Sequence, residues 1–349
     1  MLIPKNRIPV FQIATIGILP SFLKKFIYRL KGYKIGKHVS LGIGCVVIGK
    51  DVEIGKNSSI GFFTIIRANK IKIGRFVKIG ALSAIDTELF SIDDDARINE
   101  QVYIGGMKTP ESALIMGKRT IIMQASYINP TKPIIIGDDS GIGGHCLLFT
   151  HGSWSSVLDG YPVKFAPITI GKKVWLPWRV FVMPGVTIGD GVVVGADSLL
   201  NKDIPANSLV AGSPAKILKS NFPEALSESE TKKIIDTIFD EFIAHLKHHH
   251  FTISQSDLEN GFELNCANQK NKSFLKFEEI VTNSSSSSSS TSNSISDSIL
   301  VLRKGSLPST FNYKMAISFE SKDRIGSSKI GEEFVSFLSR YGIRFNRLD

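Results

Sequence analysis

Two histidines, His145 and His151, stand six residues apart in the middle of the chain, and Trp175, Lys202, Lys216 and Lys219 follow them. Imidazole is the side chain whose ordinary pKa lets it take a proton from a weak nucleophile, such as a hydroxyl, near neutral pH. His151 opens a stretch, His151 to Ala166, in which the surrounding residue pattern breaks off; His145 lies inside that pattern, between Ile142 and Leu148. His151 and His145 are therefore the histidines available for such a base, and His145 also reads as a structural residue or a supporting neighbour. His245, His248, His249 and His250 sit together but have no acidic or cysteine partner at ligand spacing, so no metal is expected. Cys45, Cys146 and Cys266 are scattered and odd in number. That excludes a disulfide framework and fits a reducing, cytoplasmic setting.

The pattern that places these residues has a period of six. Ile170, Leu176, Val182, Ile188, Val194 and Leu200 mark its steps, and Val174, Val180, Val186, Val192 and Ser198 stand two places before the last five. The same beat runs back through Ile136, Ile122, Ile98, Ile79 and Ile54. Residues two apart on a strand share a face, so each pair points inward. A glycine often follows the aliphatic residue, as at Ile54-Gly55 and Ile188-Gly189, and permits a turn. Three hexads close one triangular coil of about eighteen residues, and stacked coils bury an aliphatic column. An amphipathic helix needs spacings of three and four, which are missing.

The chain from about Lys34 to Lys219 resembles the hexapeptide-repeat acyltransferase family, and its last part is similar to the maltose and galactoside O-acetyltransferases. The residues that carry this are Pro167-Ile168-Thr169-Ile170-Gly171, Val174-Trp175, Pro184-Gly185-Val186-Thr187-Ile188-Gly189-Asp190, Asn201-Lys202-Asp203-Ile204-Pro205 and Val210-Ala211-Gly212-Ser213-Pro214-Ala215-Lys216. The resemblance implies an all-β left-handed parallel β-helix, acetyl-CoA as cosubstrate without a metal, and three prisms associated side by side as a homotrimer. It implies His151 as general base, since the family's histidine stands at a similar distance before the Pro-Ile-Thr-Ile-Gly run. It implies Trp175, Ala196, Lys202, Lys216 and Lys219 as contacts to coenzyme A, the lysines suiting its phosphates. Trp154, Asp159, Tyr161 and Lys164 in the interrupting loop would shape the acceptor site. Pro177-Trp178 departs from the family's Gly-Ser, so the donor that stabilises the oxyanion must be another group.

The predicted organisation is an N-terminal helical cap over 1–33, the β-helix domain over 34–219, a helix over 220–249, and a small C-terminal α+β domain over 250–349. The β-helix beat breaks at Glu88–Ser91, Gly105–Ala113 and His151–Ala166, each read as a loop leaving the coil. Ser227 and Glu230 form a capping box for the helix. The serine-rich run 283–298 reads as a flexible segment.

Lys and Arg outnumber Asp and Glu by 42 to 32, which favours anionic lipid or phosphorylated substrates. No basic stretch interleaves with aromatics in a nucleic-acid pattern. The apolar stretch Ile8–Leu19 is too short to span a bilayer. The basic amphipathic segment Phe22–Lys31 reads as a helix over the open first coil, with peripheral contact to the inner membrane face as the alternative.

The expected activity is O-acetylation of a sugar hydroxyl in capsule or lipopolysaccharide assembly, the pathway being implied by the resemblance alone. An N-acyltransferase acting on an amino nucleotide sugar, a non-catalytic scaffold, and a metal protein like the γ-class carbonic anhydrases are the alternatives.

Overall fold

The computed structural model describes residues 8–153, 155–258, 261–267, 272–280, 297–308 and 312–348. By internal contacts the chain divides into two units, Met1–Glu224 and Ala225–Asp349.

In the first unit, short strands alternate among three faces, each joined by parallel pairing to its equivalent one coil later. The result is a left-handed parallel β-helix of triangular section. The first face runs from Lys34–Ile35 to Thr187–Ile188, the second from Ser40–Leu41 to Ser208–Gly212, and the third from Val46–Ile48 to Leu199–Leu200. The aliphatic residues of the six-residue beat are fully buried in one continuous core. At two of the three corners the second turn residue adopts a left-handed φ, as at Asn57, Asp95, His145 and Asp197.

The small residues of the repeat do more than leave room. Ser58 Oγ donates to the Gly74 carbonyl at 2.7 Å and accepts the Val77 amide at 3.1 Å. Ser140 repeats this with Gly171 and Val174 at 2.7 and 3.0 Å. Each hydroxyl thus pairs two backbone groups of the next coil that the corner would otherwise leave buried and unpaired. The glycine after the aliphatic residue answers to proximity. A Cβ on Gly61 or Gly189 would come 2.5 Å from the backbone nitrogen of Ala81 or Ala206 in the next coil.

Register gives the coil lengths. Asp51 pairs with Lys70 and Lys70 with Leu89, nineteen residues apart each time. Leu89 pairs with Ala113, twenty-four on, and Ile134 with Ile168, thirty-four on. The break at Glu88–Ser91 is therefore no loop: Leu89–Ile92 is a strand of the first face, and the corner before it absorbs one extra residue. The long excursion is the one at His151.

Both ends of the coil are covered. The first coil has no predecessor to take its outward amides, and helix α1 (Ser21–Leu30) supplies acceptors. Ser21 Oγ accepts from Leu41 N–H at 3.0 Å, Tyr28 Oη from Val47 N–H at 2.9 Å, and the buried Lys24 ammonium donates to the Gly42 carbonyl. At the far end Ala215–Ser220 pairs antiparallel with the last coil, Ser208–Gly212.

The second unit is a seven-stranded mixed sheet, Thr252 to Arg347, with helices α2 (Glu228–His248) and α3 (Lys329–Leu338) in the same apolar core. The capping box of Ser227 and Glu230 is formed. Helix α2 groups with this sheet, giving the α+β unit a start at about 225. Most of the serine-rich run lies outside the described residues. Its last two, Asp297 and Ser298, do not fit the flexible reading. Both are buried, and Asp297 accepts from Ser273 Oγ and from the Lys329 and Ile330 amides that open α3. A carboxylate at a helix N-terminus satisfies two orphan donors at once.

Candidate active site

His151 follows the third-face strand Leu147–Phe149 and starts the excursion at the corner between third and first faces. The excursion is held at its root. Thr150, fully buried, accepts the Ala166 amide on its carbonyl at 2.9 Å and gives its hydroxyl to the Asn129 carbonyl at 2.8 Å. His151 and Gly152 then pair antiparallel with Phe165 and Lys164. The His151 ring stacks on Phe165, with centroids 5.5 Å apart and planes 11° apart. Burial pushes the His151 pKa below the ordinary imidazole value, and its Nδ1 is buried with no hydrogen-bond partner. The neutral ring is thus the form this setting favours near pH 7.

Lys164 leans across the same corner. A Cβ on Gly185 would meet its Cε and Nζ at 2.9 Å, and Gly185 stands one coil on from His151 by the register Leu148↔Val182. Lys202 is exposed one coil further along that corner, after the strand Leu199–Leu200. Asp159 lies in a short helical turn, Val157–Asp159, and Tyr161 is exposed beyond it. Trp154 falls outside the described residues.

A second group occupies a different edge. Trp175 sits on the second face with its ring on Gly141, where a Cβ would meet it at 2.6 Å. Trp178 covers Gly144 and lies against His145, with ring centroids 5.6 Å apart. His145 occupies the corner between second and third faces, its φ of 55° in the left-handed region. The whole strand Leu147–Phe149 separates it from His151, so the structure does not make it a neighbour of that ring. Ala196 continues the corner of Trp178 one coil later, since Trp175 pairs with Val193. Lys219 faces Leu209, and Lys216 faces Ala211, on the strand that closes the second face.

The resemblance grouped Trp175, Ala196 and Lys202 together as contacts to coenzyme A. The structure divides them: Trp175, Ala196, Lys216 and Lys219 belong to the second face and its corner, whereas Lys202 shares the corner of His151 and Lys164. The Pro177 carbonyl accepts the Cys146 thiol at 2.9 Å, and burial pushes that thiol up to about 11, so it remains protonated.

Between the two groups runs an aromatic ladder that the sequence reading missed. Tyr103, Tyr127, Phe149 and Phe181 meet edge to face at 4.9, 5.0 and 5.5 Å on the third face. Its signal was an aromatic residue beside the buried aliphatic in successive third-face hexads. Elsewhere, His245 Nε2 lies 2.8 Å from Glu333 and its ring 4.5 Å from that of His249. Among the described residues no three His, Cys, Asp or Glu are placed to hold a metal ion.

No family model matches the chain. It is 45% identical over 123 residues to WcaF of Escherichia coli (strain K12), named as a colanic acid biosynthesis acetyltransferase, a match covering 30% of this chain and 68% of that one. It is 30% identical over 138 residues to WbbJ of the same organism, named as a lipopolysaccharide biosynthesis O-acetyl transferase, covering 40% and 64%. The hexapeptide-repeat acetyltransferase VCA0836 from Vibrio cholerae, solved with acetyl coenzyme A, is similar with a TM-score of 0.27 and 19% identity, covering 60% of this chain and 84% of that one.

Proposed function

The chain belongs to the hexapeptide-repeat acyltransferases, and from that premise we propose that it transfers the acetyl group of acetyl-CoA to a sugar hydroxyl, in capsular or lipopolysaccharide biosynthesis. His151 is the general base. It takes the hydroxyl proton as the oxygen bonds to the acetyl carbon; the C–S bond breaks, and the coenzyme A thiolate leaves with a proton returned from the imidazolium. Trp175 and Ala196 line the arm of coenzyme A, and Lys216 and Lys219 meet its phosphates as ammonium charges. Lys164, Asp159, Tyr161 and Trp154 shape the acceptor pocket.

The observation that carries this reading is the half-buried imidazole, its pKa lowered by burial, at the root of the one thirty-four-residue coil step. A neutral imidazole is the form that accepts a proton.

The enzyme works as a cytoplasmic homotrimer within reach of the membrane face. One feature supports the trimer. The histidine and the indole wall lie on different corners of one prism, so a cleft between two copies brings a complete set together.

The test is thiol release from acetyl-CoA with hydroxyl and amino sugars offered in parallel. Release that depends on a hydroxyl acceptor and falls about 100-fold or more in His151→Ala is expected. Acetylation of amines alone, or an unaffected variant, overturns the assignment.

A further inference from the structure

The cap that closes the first coil uses only one side of its helix. Ser21, Lys24 and Tyr28 turn inward and pair with the coil. The other side shows Phe22, Phe26 and Leu30 to solvent, at 66%, 60% and 73% exposure. The helical stretch Val10–Gly17 before it, bent 114° from α1, exposes Val10 and Phe11, and Ile18 follows at the bend. None of these side chains belongs to the core of the β-helix. A contiguous apolar surface of this kind marks a contact face.

Charge identifies the partner. The first fifty residues hold nine Lys and Arg and not one Asp or Glu. Lys25, Arg29 and Lys31 lie on or just past α1, among the exposed apolar side chains. Apolar side chains ringed by cations suit the boundary between anionic headgroups and acyl chains. A second copy of the same end would bring like charges together. Among the described residues no single helix is long and apolar enough to cross a bilayer, the two N-terminal helical stretches are bent by 114°, and Lys24 and Tyr28 fasten α1 to the coil, which favours a helix lying in the interface.

We propose that the N-terminal end of the β-helix is a docking surface for an anionic lipid bilayer, with α1 and the Val10–Gly17 stretch lying flat in the interface. This gives residues to the membrane placement proposed above and rests on that reading only for the trimer. Parallel prisms put three such ends on one side, and three weak contacts to one bilayer add as avidity.

The experiment is co-sedimentation of the full chain with vesicles of phosphatidylcholine alone and with 30 mole per cent phosphatidylglycerol. Binding to the anionic vesicles, weakened at high salt, is expected. Phe22→Ser combined with Phe26→Ser and Leu30→Ser should lower the bound fraction about tenfold, and Lys25→Glu with Lys31→Glu should do the same. Melting temperature and acetyl-CoA turnover with a soluble acceptor, read in parallel, should stay at the parent values, which separates lost docking from lost folding or lost catalysis. No binding to anionic vesicles, equal binding to neutral ones, or an apolar variant that binds like the parent overturns the proposal. So does an apolar variant whose only change, by light scattering, is in oligomeric state, because the occupant is then a second copy.

Discussion

Trp175 rests its indole on Gly141 of the preceding coil, at a contact so close that a Cβ there would sit 2.6 Å from ring carbon Cε3. The glycine sets the height of the indole above the face. Gly141→Ala should lift the ring, raise the KM for acetyl-CoA several-fold and leave kcat nearly unchanged. It should also cost about 1–3 kcal/mol of stability as an overpacking substitution. Steady-state kinetics with varied acetyl-CoA and a thermal melt check both. A lowered kcat with unchanged KM would place Trp175 at the reacting carbonyl instead.

The His151 imidazole lies below its ordinary pKa because it is desolvated. The acid limb of kcat/KM should therefore have its midpoint below about 6.5, the value of a free imidazole. Activity falls as pH drops through that midpoint, because the protonated ring has no capacity to accept the hydroxyl proton. The sign for stability is the same: the unfolded ring binds its proton first, so the contribution is full above the unfolded pKa and is lost on acidification. A pH–rate profile with a midpoint above 7 would contradict the assignment.

If two copies share each site, two dead variants should repair one another. His151→Ala and Trp175→Ala protomers, refolded together at equal amounts, should form trimers in which about a quarter of the clefts hold one intact histidine and one intact tryptophan. At acetyl-CoA well below the KM of the Trp175→Ala variant, each variant alone should have little turnover. A mixture no better than its components would place the whole site within one prism.

Ser140 is tested through the backbone groups it serves. Ser140→Ala leaves the Gly171 carbonyl and the Val174 amide without the hydroxyl that pairs them. The expected loss is about 1–3 kcal/mol, read from urea denaturation. Ser140→Thr keeps the hydroxyl and should retain more of the stability, as far as its extra methyl fits.

The inward column was legible because the repeat period fixes which residues share a face, and Ile170, Leu176 and Val182 follow that rule coil after coil. The corner occupied by each candidate residue was harder to read. The three faces are equivalent in the hexad pattern, so nothing local distinguishes the corner of Lys202 from that of Ala196; the assignment needs coil lengths, which register supplies. His145 was ambiguous for a related reason, since a residue between two inward positions can belong to a turn with positive φ. Glu88 read as a loop because one extra residue shifts the beat as visibly as ten do. Asp297 was hidden by its serine-rich surroundings, and its role exists only once α3 has been folded against it.

The coil also acts as a ruler. From the first-face strand at Lys34–Ile35 to that at Ile134–Ile136 there are five strand-to-strand steps, and the latter strand belongs to the coil that carries His151. At about 4.8 Å a step, the coil of His151 stands roughly 24 Å along the prism axis from the first coil, with the cap helix beyond it. With the capped end on a bilayer and the axis upright, a sugar joined directly to a headgroup would fall short of the imidazole, while one displayed further out on a lipid-borne chain would reach it. In that proposed placement, coil number would set how far from its anchor a glycan is modified.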